Sequence, residues 1–138
     1  MGDRAYMEMI CRREDAGLFE ELGFCEQDWR TDLPENVVFL VDEEANYVHD
    51  DATRRLSAKG IVFCGRHDEG GDYHAAVIAS DGSHFCSAAT LFGDGRPHVP
   101  VQPNGRVHAG AMRIATEYYR IEAAARKVIG VEETLFSG

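Results

Sequence analysis

The feature that most constrains the fold lies near the C-terminus. Val107, Ala111, Ile114, Tyr118, Ile121, Ala125 and Val128 recur at alternating steps of four and three. That spacing keeps side chains on one side of an α-helix. It predicts a helix over 107–129, about six turns long. Gly130 is placed to stop it, because glycine takes the left-handed conformation at a helix end without strain. An amphipathic helix of this length has to bury its stripe. Two partners are open to it: the apolar face of a sheet, or the same stripe on a second copy, giving a homodimer through the C-terminal helix. The sheet is the expected partner, with Val107, Ile114, Tyr118, Ile121 and Val128 inward.

The rest of the chain supplies the strands. Residues 5–11 and 37–42 are apolar runs of strand length, and so is Ile61-Val62-Phe63-Cys64. Residues 75–80 and 83–90 flank Asp81-Gly82, a dipeptide that favours a tight hairpin turn. Val99–Gln102 is expected to be a short edge strand, since Pro100 cannot donate to a ladder. Two short helices are expected. One runs from Glu14 to Leu22 before Gly23; the other, capped by Asp50 or Asp51, runs to Lys59 before Gly60. Residues 26–36, around Trp29, are expected to be a loop. The fold class is therefore α+β: a mainly antiparallel sheet, two short helices, and a long C-terminal helix packed on one face. The length of 138 residues suits one domain, taken as 1–130, with 131–138 as a frayed tail.

Charge narrows the function. The formal net charge is −10, and it is unevenly spread. Between Glu14 and Asp51 there are thirteen acids and one base, Arg30, so the remainder of the chain is close to neutral. Direct binding to nucleic acid is disfavoured, because that needs a basic footprint. An anionic membrane surface is disfavoured on the same ground. The favoured partner is a basic protein surface, for which a nucleic-acid-binding protein is the natural source. Glu20, Glu21, Asp28, Glu43 and Glu44 are the expected partner-binding residues; the bland alternative is an acidic surface that only confers solubility. On the long helix, Arg106, Arg113, Arg120 and Lys127 recur every seven residues, but Glu117 and Glu122 are spaced to pair with Arg120 and Arg126 and mute the stripe.

Candidate chemistry centres on Gly65-Arg66-His67-Asp68-Glu69-Gly70-Gly71-Asp72-Tyr73-His74, a run of histidines, carboxylates and glycines between strands. It matches no catalytic motif, so no catalytic residue is assigned; a ligand-binding or enzymatic loop is the alternative reading, and a plain surface loop its rival. Cys64, His67, His74, His84 and Cys86 are the candidates for a zinc site, but the set has neither a C-x₂-C nor an H-x₃₋₅-H pair. No metal or other cofactor is expected. Cys86 beside His84 raises a nucleophile, against the simpler reading of buried thiols. Trp29 and Tyr118-Tyr119 are either partner contacts or core.

The longest apolar runs, Val37–Val41 and Ala75–Ala79, are too short to span a membrane, and residues 1–6 show no secretory pattern. A cytoplasmic location is expected, with Cys11, Cys25, Cys64 and Cys86 as free thiols. The stretches Arg4–Ile10, Val41–Tyr47, Gly70–Tyr73 and Ser80–Gly82 resemble small acidic proteins of phages and other mobile elements. Some proteins of that kind are anti-CRISPR or anti-restriction inhibitors. The resemblance implies a non-enzymatic inhibitor or adaptor that binds a host-defence complex, and it assigns no residue a role.

Overall fold

The computed structural model describes residues 4–91 and 93–136. Six strands form one sheet: β1 (Arg4–Arg12), β2 (Cys25–Gln27), β3 (Val37–Asn46), β4 (Val62–His67), β5 (Ala76–Asp81) and β6 (Phe85–Ala89). Their order is β2-β3-β1-β4-β5-β6, and every neighbouring pair is antiparallel. The helices are α1 (Ala16–Glu20), α2 (Asp50–Ala58) and α3 (Ala109–Ile129). The architecture is α+β, with the long helix C-terminal, as the sequence indicates.

Alternation along the strands sends apolar side chains to both faces of the sheet. One face carries Ile10, Phe39, Val62, Cys64, Val77 and Ala79, which pack with Tyr118, Ile121, Ala125 and Ile129 of α3. The other carries Met7, Met9, Cys11, Leu40, Phe63 and Ile78, packed with Phe19, Phe24 and Val48 around α1 and the start of α2. The sheet is thus a middle layer, with α3 on one side and the two short helices on the other.

The inward side of α3 differs from the expected stripe. Tyr118 and Ile121 are buried, but Val107, Ile114 and Val128 are exposed, with Val128 at 50%. Val107 precedes the helix and makes a bridge with Val101. Within the helix, a strict alternation of four and three repeats every 3.5 residues, whereas the backbone turns every 3.6. The stripe therefore rotates by about 20° per heptad, which carries Val128 off the sheet, while Ile114 lies beside the edge strand β6, where the sheet ends. The residues that stay inward are Ala115, Tyr118, Ile121, Glu122, Ala125 and Ile129.

Four local expectations are corrected. Val99–Gln102 forms no strand: Pro100 lacks an N–H, and the segment makes one isolated bridge, Val101 to Val107. The residue before α2 is His49 rather than an aspartate, and no side chain caps that end. The stretch expected as a loop over 26–36 begins inside β2, a three-residue edge strand. The tail does not fray as far as Phe136. Leu135 and Phe136 are buried in the α3-side core, and Glu122 Oε2 accepts a hydrogen bond from the Leu135 N–H at 3.3 Å. Residues 1–3 of the expected domain and 137–138 of the expected tail lie outside the described residues.

Candidate functional site

The loop after β2 places an indole on the surface. Trp29 is 57% exposed, with its ring set edge-on against Phe39 at 4.6 Å between centroids. Its neighbour Arg30 holds the loop down. The guanidinium lies over Phe39 and Phe136, donates through Nη1 to Leu135 O at 2.8 Å, and pairs with Asp32 at 2.6 Å. That pairing keeps the Asp32 carboxyl below its usual range. Trp29 separates two clefts. One, of about 330 Å³, is bordered by Tyr6, Gly23, Cys25, Val41 and Glu43. The other, of about 400 Å³, is bordered by Glu8, Arg30, Arg66 and Phe136. Tyr6 closes the first, its hydroxyl donating to Glu8 Oε2 at 2.8 Å; burial and then this bond raise its pKa.

All five expected partner-binding residues are exposed. Folding also brings bases from outside the acidic segment onto it. Arg12 pairs with Asp15, Arg13 with Glu26, Arg54 with Asp50, and Arg4 with Glu44. The linear run of acids is therefore interrupted in space. Among the described residues, Glu20, Glu21, Asp28 and Glu43 form no ion pair. Three of them sit close to Trp29 or its cleft. Asp28 is its chain neighbour, Glu43 borders the cleft, and Glu21 is two residues before Gly23 on the cleft rim. The α1–β2–β3 edge is thus an acidic margin with an exposed aromatic at its centre. The sequence leaves Trp29 between partner contact and core, because its exposure depends on how the loop crosses Phe39.

The 65–74 stretch divides. Gly65, Arg66 and His67 belong to β4. A side chain at position 65 would meet Glu8 O at 2.8 Å, so the close approach of β4 to β1 requires glycine there. His67 is 4% exposed and lies on the face opposite α3. It lines a cleft of about 370 Å³ beneath the start of α2, which also takes in Asp50, Asp72 and His74. The zinc set does not assemble. Cys64 and Cys86 lie in the α3-side core, His67 is on the other face, and His84 pairs with Asp81 at 3.1 Å. Among the described residues no three such ligands come together. The Cys86 thiol is directed at Ile114 O, 3.7 Å away, and burial raises its pKa, as it does that of Cys64. Those thiols are core groups. All four cysteines are free, and Cys25 alone is exposed.

On α3, Tyr118 is core and Tyr119 is exposed. Arg120 pairs with Glu117, and Arg126 with buried Glu122, so the expected muting of the basic stripe is realised at those positions. No described helix is long and apolar enough to cross a membrane. No family model matches the chain, and no curated protein and no solved structure matches it.

Proposed function

We propose that the chain is a non-enzymatic inhibitor or adaptor that docks on a basic protein through the acidic margin around Trp29. The observation that carries this reading is the exposed indole with unpaired Asp28 and Glu43 beside it. An exposed tryptophan supplies a large apolar contact at little entropic cost, and such residues dominate binding energy at interfaces. A guanidinium or ammonium on a partner gains twice here, from the indole face and from the carboxylates. Glu20 and Glu21 extend the field outward and steer the encounter. The partner proposed is a nucleic-acid-binding protein, whose Lys and Arg side chains otherwise hold phosphates. The resemblance to small proteins of mobile elements favours a host-defence complex as that partner, in the cytoplasm. Tyr118, Ile121 and Ala125 of the α3 stripe are buried on the sheet, which leaves them no part in pairing two copies through that helix.

The test is capture from a host lysate at low and high salt, with wild-type protein beside a variant carrying Trp29→Ala and Glu43→Lys. The captured protein is then purified and its binding measured directly. A basic partner that binds the wild type, is lost to the variant and is released by salt supports the reading. A partner held equally by both proteins sinks it.

A further inference from the structure

The cleft at His67 is built rather than incidental. Its floor is the face of β5 and β6 opposite α3, where Ala76, Ser87 and Ala89 are too small to fill the space between sheet and helix. Its upper wall is Val48 and the first turns of α2. The chain enters α2 through Tyr47, Val48 and His49, all at positive φ of 51°, 49° and 50°. Three consecutive non-glycine residues in this conformation are strained, because Cβ crowds the following carbonyl. They are held by buried Val48, by a 2.7 Å contact from His49 Nε2 to Asp42 Oδ2, and by Thr53 Oγ1 donating to His49 O at 2.9 Å. Strain of this kind gathers at functional sites.

His67 itself points to a ligand. Its Nδ1 is 3.0 Å from Asp68 O, and a carbonyl only accepts, so Nδ1 carries the proton and Nε2 carries a lone pair. Nε2 has no partner among the described residues. The only described side-chain polar atom that is both shut off from the surface and unpartnered is Thr90 Oγ1. The Nε2 acceptor is therefore open to the cleft that the ring lines. Burial keeps the ring neutral, lowering its pKa against the opposing effects of its bond to Asp68 and of the Asp50 and Asp68 charges. The lining carries the carboxylates Asp50, whose Oδ1 also holds Arg54 Nε at 3.1 Å, and Asp72, and no lysine or arginine among the described residues; the remaining surface is largely apolar, from Ala76 and Ile78, with Ile114 of α3 reaching it at the edge strand β6.

We infer that this cleft is a binding site for a small organic amine with an apolar body. The ammonium donates to His67 Nε2 beside Asp50, and the body lies over Ala76, Ile78 and Ala89. A neutral imidazole with carboxylates suits a cationic donor and repels an anion. The cleft volume lies within the range of small-molecule pockets. The site is on the opposite face of the sheet from the Trp29 margin and stands without the docking proposal.

The experiment is a titration of the full-length protein with phenethylamine, followed through the histidine ring signals by heteronuclear NMR. 2-Phenylethanol and 3-phenylpropionate serve as neutral and anionic comparators. The amine should shift the His67 signals saturably, the alcohol should bind about tenfold more weakly, and the acid should not saturate. Asp50→Asn should weaken amine binding about fivefold. Ala89→Leu, at an exposed position on the edge strand, should fill the cleft and abolish binding while thermal melting stays close to wild type. An amine that fails to saturate, an alcohol that binds as well, or undiminished binding by Ala89→Leu would each overturn the site. None of these results bears on whether Trp29 docks a basic protein.

Discussion

Glu8 and Arg66 are register partners across β1 and β4, and Glu8 Oε1 accepts a hydrogen bond from Arg66 Nε at 2.5 Å. Glu8 is 3% exposed, so its charge depends on this contact and on the Tyr6 hydroxyl. Arg66 in turn donates through Nη1 to Gly93 O at 3.0 Å and lies near the Phe136 ring. The pair thus joins the middle of the sheet to the 93–95 turn and the C-terminal segment. Removing one partner of a buried pair leaves the other uncompensated. Arg66→Met should destabilise the fold by about 3 kcal/mol, at the lower end for such a pair because Arg66 is partly solvated. Glu8→Gln, which can still bond to Tyr6, should cost less. Urea unfolding of the two variants tests the order; equal midpoints with wild type would show the pair to be dispensable.

The helix α3 gives a sharper test of packing. Ile121 and Val128 both belong to the alternation of four and three, yet Ile121 is 1% exposed and Val128 50%. Ile121→Asp should cost several kcal/mol by burying an unpaired charge. Val128→Asp should stay within about 0.5 kcal/mol of wild type, as most surface changes do. Comparable losses for both would place the wrong side of the helix on the sheet.

Much of this fold is legible in local pattern. Val37–Val41, the Asp81-Gly82 turn and the middle of α3 each carry their own signal, and each forms the element expected. What the sequence hides is settled at long range. Gly65-Arg66-His67 has a loop-like composition, but it is strand because β1 supplies the partner for Arg66 and demands glycine at 65. Leu135 and Phe136 look like a tail until Arg30, 105 residues away, bonds to the Leu135 carbonyl. The acidic run reads as continuous until Arg4, Arg12, Arg13 and Arg54 fold onto it. Those pairings join residues that no local window contains.

Acid should loosen the protein through His67. Its pKa is lowered in the fold, chiefly by burial, against the opposing influence of its bond to Asp68 and of the Asp50 and Asp68 charges; Asp72 and His74 share the cleft. The unfolded chain therefore binds the proton more readily than the folded one. Stability is fully present above the ordinary histidine value of 6.5 and is lost as pH falls through the folded pKa. Thermal melting across this window should show that loss in wild type and a flatter profile in His67→Gln. Identical profiles would assign the acid sensitivity elsewhere.

Thiol chemistry should separate Cys25 from the other three. Cys25 is on the edge strand and exposed, whereas burial pushes the Cys11 thiol up to about 12 and also raises those of Cys64 and Cys86. Only the thiolate reacts, so a thiol reagent at neutral pH should modify one cysteine quickly in the native protein and all four after denaturation. Fast reaction of more than one would mean that a core thiol is reached in the folded state. Cys25 also borders the Trp29 cleft, so a bulky adduct there should weaken docking without unfolding the protein.

The acidic margin and Trp29 should contribute to different stages of binding. Glu20, Glu21, Asp28 and Glu43 are exposed and unpaired among the described residues, so each alone contributes little and is screened by salt. Their summed field acts before contact, while the partner is still diffusing. Reversing all four to Lys should slow association by about tenfold or more at low salt and flatten its salt dependence, with a smaller effect on dissociation. Glu44 pairs with Arg4, so Glu44→Lys added to the set also leaves Arg4 unpaired and should slow association further. Trp29 acts after contact, through desolvated area and through any guanidinium stacked on its face. Trp29→Ala should leave the association rate nearly unchanged and speed dissociation, costing about 2 kcal/mol or more in affinity. Surface plasmon resonance against the captured partner, repeated at several salt concentrations, separates the two effects. If the fourfold reversal leaves association rate and salt slope untouched, the acids serve only solubility. If Trp29→Ala also leaves dissociation unchanged, the docking surface lies elsewhere on the protein.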